Sequence, residues 1–315
     1  MTLTELKYIV ALAREKHFGR AAEACFVSQP TLSVAIKKLE EELNVSLFER
    51  GSSEVSLTPV GERIVVQAQR VLEEAASIKS IAQQGMNPLT GPLRVGVIYT
   101  IGPYLLPGLV TRMIESYPDM PLLLQENFTV RLLELLKQGE LDVAVLALPI
   151  NESGFSIEPL YDEPFVVAVP KTHPWAARKR IHPDELKLEN MLLLGAGHCF
   201  RDQVLGVCPE LSRFSQSSEG IQRTFEGSSL ETIRHMVASG IGITVLPSSS
   251  VPDPVPESSL LTYIPLDEGD TKRSVALVWR KSFGRREAVD ALKASILKCR
   301  LNGVEFVSSP TPPRA

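Results

Sequence analysis

Across the first sixty residues the apolar positions recur at helical spacing. Leu3, Leu6, Ile9, Val10 and Ala13 share one face. An alanine-rich stretch at residues 19–25 reads as a short second helix, and Phe26-Val27 as a tight connection. Ser28 caps a third helix with Pro30 in its first turn, where the missing N–H does no harm. Leu32, Ala35, Ile36, Leu39 and Leu43 form its inward stripe, while Gln29, Thr31, Ser33, Lys37 and Lys38 face outward. Three short helices with a small-residue middle helix predict a helix-turn-helix whose third helix enters the major groove of double-stranded DNA. Residues 48–59 read as a small hairpin, a wing. Gln29 and Ser33, with Pro30 and Thr31 beside them, are the candidates for base contacts. Arg20, Lys37 and Lys38 are candidates for phosphates, and Arg50 in the wing for a backbone or groove.

Thr58 then caps a long helix, with Pro59 at its first position and Glu62 set to complete a capping box. Gly61, Ile64, Ala68, Val71, Ala75, Ile78 and Ala82 step alternately by three and four, a heptad seam that predicts pairing with a second copy of the helix. The helix ends at residues 85–88. From there strands and helices alternate: strand 91–98, a helix with Leu106, Leu109, Val110 and Met113 inward, strand 121–126, helix 129–138, strand 141–146. This predicts a parallel α/β sheet, which binds ligands at the carboxyl ends of its strands. Thr100 and Thr129 follow the first two strands and are placed to line one crevice. A second set of elements starts near residue 165 and runs to 243–247. Strand 274–279 and helix 286–299 return to the first set.

The expected organisation is therefore an α/β protein in three parts. Residues 1–58 are the DNA-binding domain and 59–87 the linker and dimerisation helix. Residues 88–305 form a two-lobed sensor, with lobe I at 88–162 plus 269–305 and lobe II at 163–268. Residues 306–315 are a flexible tail. The formal net charge of −4 does not advertise nucleic acid, and across residues 1–60 seven Lys and Arg face eight Asp and Glu. DNA binding must rely on where the charges sit. The start lacks the layout of a signal peptide, and no apolar run reaches membrane-spanning length. A cytoplasmic protein without a membrane partner is expected, and no cofactor or metal.

Only four cysteines are present, and two lie close together, Cys199 and Cys208. An apolar run at 191–194 reads as a buried strand. Gly195-Ala196-Gly197 breaks it, and helical character follows from Phe200 to Val207. Cys199 then sits near a helix N-terminus with His198 and Arg201 alongside, a setting that favours the reactive thiolate. Within one helix the two Cα atoms would be about 13 Å apart, whereas a disulfide needs them within about 7 Å. Bridging would require the segment to refold, as in a redox switch. The other reading of the spacing is two buried thiols acting as small hydrophobes.

The N-terminal motifs resemble those of LysR-type transcriptional regulators. They are Phe18-Gly19-Arg20-Ala21-Ala22, Ser28-Gln29-Pro30-Thr31-Leu32-Ser33, Ile36-Lys37-Lys38-Leu39-Glu40, Leu47-Phe48-Glu49-Arg50 and Leu57-Thr58-Pro59-Val60-Gly61. Val34 departs from the pattern, since many members carry a polar or basic residue there. The segment Gly197-His198-Cys199, Arg201-Asp202-Gln203, Gly206 and Cys208 is similar to the sensing loop of the family's hydrogen-peroxide-responsive members. The resemblance implies a winged helix-turn-helix and a sensor of periplasmic-binding-protein fold. It implies that Cys199 is peroxidatic and Cys208 resolving, that Thr100, Thr129, His198 and Arg273 surround hydrogen peroxide, and that a dithiol reductant resets the switch. It implies a homotetramer that recruits RNA polymerase, a regulator rather than an enzyme. Adjacent Lys272 leaves the register of Arg273 open by one. Rival readings are a regulator with a small organic anion in its crevice and a thiol peroxidase. A periplasmic solute-binding protein shares the two-lobe pattern.

Overall fold

The computed structural model describes residues 1–50, 55–84, 88–209, 224–227, 229–267 and 271–307. The chain forms two compact units. One is Met1–Pro88 with Lys137–Gly139 and Ser282–Arg285, and the other is the remainder. In the first, α1 (Leu3–Glu15), α2 (Phe18–Ala24) and α3 (Gln29–Leu43) precede a two-stranded wing, β1 (Phe48–Arg50) with β2 (Val55–Leu57), and then α4 (Pro59–Gln84). Each short helix carries its own start signal. Thr2 and Glu5 form a capping box on α1, the His17 ring accepts from the N–H groups of Gly19 and Arg20 on α2, and Ser28 Oγ accepts from Thr31 N–H on α3. Leu6, Ile9, Leu12, Ala21, Leu32, Ile36 and Leu39 close the core.

The start of α4 differs from the sequence expectation in one respect. Thr58 Oγ1 accepts from Gly61 N–H at 2.9 Å, but the Thr58 N–H bonds to Leu47 O, so Glu62 completes no capping box. Gly61 is required by close approach, since a Cβ there would stand 2.0 Å from Leu47 O. The heptad seam divides. Ile64 and Ala68 pack on the unit's own core, whereas Val71 and Ile78 stay open at 37% and 66% exposure. Residues 85–87, where the sequence ends the helix, lie outside the described residues.

The second unit runs β3 (Leu93–Ile98), α5 (Gly102–Ser116), β4 (Leu122–Asn127), α6 (Thr129–Lys137), β5 (Val143–Ala147) and β6 (Phe155–Pro170). It continues with β7 (Met191–Leu194), α7 (Cys199–Val207), β8 (Thr224–Gly227), α8 (Leu230–Ala238), β9 (Thr244–Pro247), β10 (Leu261–Pro265), β11 (Lys272–Arg280), α9 (Arg286–Ile296) and β12 (Glu305–Phe306). The main sheet has the order β10-β6-β11-β5-β3-β4, with β9 and β12 also on β6. β3 is parallel to β4 and β5, but β11 inserts antiparallel between β5 and β6. The sheet is thus mixed, because the returning strand enters its middle from the opposite direction. Leu105 rather than Leu106 is the fully buried residue on the first turns of α5.

A single sixteen-residue strand, β6, passes through the expected lobe boundary at 162 and 163. It pairs with β11 and β12 in its first part and with β9 and β10 in its second. Its first half was not legible as a strand, because Pro159, Asp162, Glu163 and Pro164 interrupt the apolar pattern. Pro159 is tolerated where the register with β11 shifts between Val275 and Ala276. β7 and β8 form a small parallel sheet in the second lobe. The sequence expectation is a flexible tail from 306, but Phe306 pairs with Tyr161 and packs its ring 5.8 Å away. Residues 308–315 lie outside the described residues.

Candidate functional site

Parallel pairing builds the first wall. Ile98 at the end of β3 stands beside Asn127 at the end of β4. The next residues of each strand, Tyr99-Thr100 and Phe128-Thr129, therefore leave the sheet side by side. The second wall comes from the turn between β7 and α7. Gly197 takes φ +95°, a left-handed conformation that side chains resist, and delivers His198 and Cys199 against Phe128. The His198 ring is buried and lies edge-on to Phe128, centroids 4.8 Å apart, and to Tyr99 at 6.0 Å. Cys199 is the first residue of α7 and half-buried.

Thr100, Thr129, His198 and Cys199 line one cavity of about 10 Å³, with Tyr99, Phe128 and Asn127 also on its wall. That is about the space of one water-sized molecule. Its two hydroxyls are prepared differently. The Thr129 Oγ1 is buried and takes no protein partner. The Thr100 Oγ1 accepts from Arg273 Nη1 at 2.8 Å, while Arg273 Nη2 donates to Thr100 O at 3.0 Å. Guanidinium only donates, so the Thr100 O–H is left to point elsewhere. Arg273 is itself held by Glu163, Nε to Oε2 at 2.6 Å, with both side chains fully buried. Its charge lies 5.1 Å over the Phe200 ring.

Sequence reasoning grouped Arg273 with the cavity residues. The structure places it behind Thr100, not on the cavity wall. The neighbouring Lys272 is exposed and paired with Asp162 at 2.6 Å, so of the two it is Arg273 that reaches Thr100. Arg201, expected beside the thiol, donates Nη1 to Leu194 O at 2.8 Å and so braces the turn. Cys208 is 1% exposed at the C-cap of α7, in the core that also buries Phe200 and Val204. None of the four cysteines is in a disulfide. Helical rise sets the Cα atoms of Cys199 and Cys208 about 13 Å apart.

Sequence reasoning missed Tyr99, Phe128 and Glu163. A signal for the first two was present, since an aromatic residue and then a threonine directly follow both of the first two sensor strands. Glu163 gave none, as its partner lies 110 residues away.

On the helix-turn-helix, Gln29, Pro30, Thr31, Lys37 and Lys38 are exposed and Ser33 is half-buried. The Thr31 hydroxyl shares a 2.7 Å hydrogen bond with Ser28, and Lys37 stands 3.7 Å from Glu41. Arg20 Nη2 donates to Glu15 O at 2.7 Å. Arg50 lies in β1, paired with Val55; its side chain lies outside the described residues. Among the described residues no helix is long and apolar enough to cross a membrane, and no three His, Cys, Asp or Glu gather as for a metal ion.

A bacterial regulatory helix-turn-helix model of the lysR family matches residues 3–62, and a LysR substrate binding domain model matches residues 87–298. The chain belongs to the LysR family of transcriptional regulators. Within it, the chain is 42% identical over 296 residues to a hydrogen peroxide-inducible genes activator of Dickeya chrysanthemi, covering 94% of this chain and 95% of that one. It is 40% identical over 303 residues to the DNA-binding transcriptional dual regulator OxyR of Escherichia coli K12, covering 96% and 97%. A full-length cysteine-to-aspartate variant of Pseudomonas aeruginosa OxyR superposes with a TM-score of 0.75 at 50% identity, covering 98% and 99%. A hydrogen-peroxide-bound cysteine-to-serine variant of Corynebacterium glutamicum OxyR gives 0.62 at 35% identity, covering 94% and 92%.

Proposed function

We propose that this protein is a DNA-binding transcriptional activator that senses hydrogen peroxide through Cys199. The observation that carries the reading is the cavity itself: a cysteine at a helix start faces a buried threonine hydroxyl with no protein partner, in a space of about 10 Å³. Hydrogen peroxide is small, polar and both donor and acceptor, as that space requires. The effector-binding alternative gives Cys199 no task on the wall of this space.

The Cys199 thiolate attacks one peroxide oxygen. The O–O bond breaks, the sulfur is oxidised to sulfenic acid and hydroxide leaves. Thr129 and Thr100 donate toward the leaving oxygen, and His198 fixes the other end. Arg273 acts through Thr100. The Cys208 thiol then displaces water from the sulfenic acid to give a disulfide, and a cellular dithiol reduces it by exchange. Each cycle is a signal, not productive turnover, so the protein is a regulator and not an enzyme.

Residues 1–58 place α3 in the major groove, 59–87 pair copies, and 88–305 sense. Gln29, Pro30, Thr31 and Ser33 face bases, while Arg20, Lys37, Lys38 and Arg50 hold the backbone. Support for a homo-oligomer comes from the open seam residues Val71 and Ile78 and from β4, an edge strand exposing Leu123 and Leu124 at 53% and 39%. Two such surfaces suit a tetramer in the cytoplasm, with RNA polymerase as the downstream partner.

The test adds one equivalent of hydrogen peroxide to reduced protein and maps thiols by non-reducing peptide mass spectrometry. A Cys199–Cys208 bridge, replaced in Cys208→Ser by sulfenic acid at Cys199, is expected. Scattered oxidation refutes the sensor. Repeated peroxide consumption with reductant at enzyme-like rates identifies a peroxidase instead.

A further inference from the structure

We infer that Val34 reads thymine methyl groups in the operator, so that this protein distinguishes thymine from other bases by an apolar contact on α3. The inference rests on the proposed placement of α3 in the major groove. The first unit exposes several large apolar side chains, but Val34 is the only one on α3 among the described residues. Val34 is 68% exposed on the face opposite Leu32, Ile36 and Leu39. It lies four residues after Pro30, which is also exposed, and residues four apart share a helix face. Gln29, Thr31 and Ser33 flank this apolar pair with donors and acceptors. Lys37 and Lys38 follow it one turn on, at phosphate reach.

Such a side chain has one chemical partner in the major groove. Guanine, cytosine and adenine offer only donors and acceptors there, whereas thymine adds the C5-methyl group. Val34 has no hydrogen-bonding atom, so its contact carries information only where that methyl is present. Val34 therefore replaces hydrogen-bond readout by methyl readout at this position.

The experiment uses the full-length reduced protein. The probe is the tightest-binding duplex selected by that protein from a pool of random double-stranded DNA. Each thymine in the probe is replaced in turn by deoxyuridine, which removes only the methyl. Affinities are measured for the wild type, Val34→Ala and Gln29→Ala.

At one or two thymines the wild type is expected to lose about fourfold in affinity, the amount set by burying one methyl-sized group. Val34→Ala is expected to lose that discrimination at the same positions. Wild-type binding indifferent to every replacement overturns the inference, as does discrimination that Val34→Ala keeps. Unchanged binding by Gln29→Ala, or a pool that yields no preferred sequence, overturns the placement of α3 as well.

Discussion

Replacing Thr129 by valine should make the protein more stable and less reactive at once. Valine keeps the shape of threonine and removes its hydroxyl. That hydroxyl oxygen is buried and takes no partner in the protein, so it holds an unmet desolvation penalty of about 1–3 kcal/mol. Thr129→Val should recover about 1 kcal/mol of this, read as a higher urea midpoint at constant slope. The same hydroxyl is a proposed donor to the leaving oxygen. A hydrogen bond to a charged group contributes roughly 1.5–3 kcal/mol, so oxidation of Cys199 should slow about 10- to 100-fold. Stopped-flow trapping of the sulfenic acid in a Cys208→Ser background measures that rate. Thr100→Val is the contrasting control. It strips Arg273 Nη1 of its 2.8 Å acceptor, so it should slow oxidation and also destabilise, by about 1–3 kcal/mol. If Thr129→Val is destabilised, or oxidises at the wild-type rate, the hydroxyl is not held open for peroxide.

Gln203 ties α7 to the first lobe by donating Nε2 to Leu148 O at 3.1 Å; Gln203→Ala should speed disulfide formation relative to sulfenic acid formation, timed by quenched thiol alkylation. Asp162 is held below the usual aspartate range by its hydrogen bond from Lys272 and then that from Ser274. Its stabilisation is therefore present above that range and lost as pH falls through it, so Asp162→Asn should lower the urea midpoint at neutral pH and match the wild type in strong acid. Phe26 is 96% exposed at φ 56°, a left-handed backbone that costs roughly 1–2 kcal/mol and that asparagine tolerates; Phe26→Asn should gain about 1 kcal/mol in a urea titration.

Local signals carried most of what sequence reasoning found. Caps at Ser28 and Thr58, apolar stripes at period 3.6 and the glycine break after residue 194 are short-range features, and each placed an element within a residue or two. The helix start at Cys199 belongs to this class. What stayed hidden depends on partners distant in sequence. The long strand β6 is held by β11, over a hundred residues later, and tolerates its prolines and carboxylates only through that pairing. Arg273 drew attention by resemblance, but its work on Thr100 from behind is set by Glu163, which no spacing in the sequence connects to it.

The same buried pair bears on how oxidation would reach the rest of the protein. Phe200 follows Cys199 directly and lies against both Arg273, at 5.1 Å, and Phe165, at 5.2 Å. Bringing Cys208 to Cys199 requires α7 to unwind, because its ends are about 13 Å apart. Unwinding withdraws Phe200 and Val204, each 2% exposed, from the second-lobe core. Leaving both in water would cost roughly 3–6 kcal/mol, so the oxidised form must bury them elsewhere. Withdrawal of Phe200 also uncovers the Arg273–Glu163 pair to water, which weakens the attraction between the two charges and makes them easier to separate. Glu163 lies in β6, the strand that passes between the lobes, and also accepts from Ser249 N–H at 3.0 Å. A change that starts at one sulfur is thereby delivered to the strand both lobes share. Glu163→Gln keeps the shape and removes the charge. If this route carries the signal, the oxidised wild type should change its protease-cleavage pattern around β6, and oxidised Glu163→Gln should form the disulfide yet lack that change.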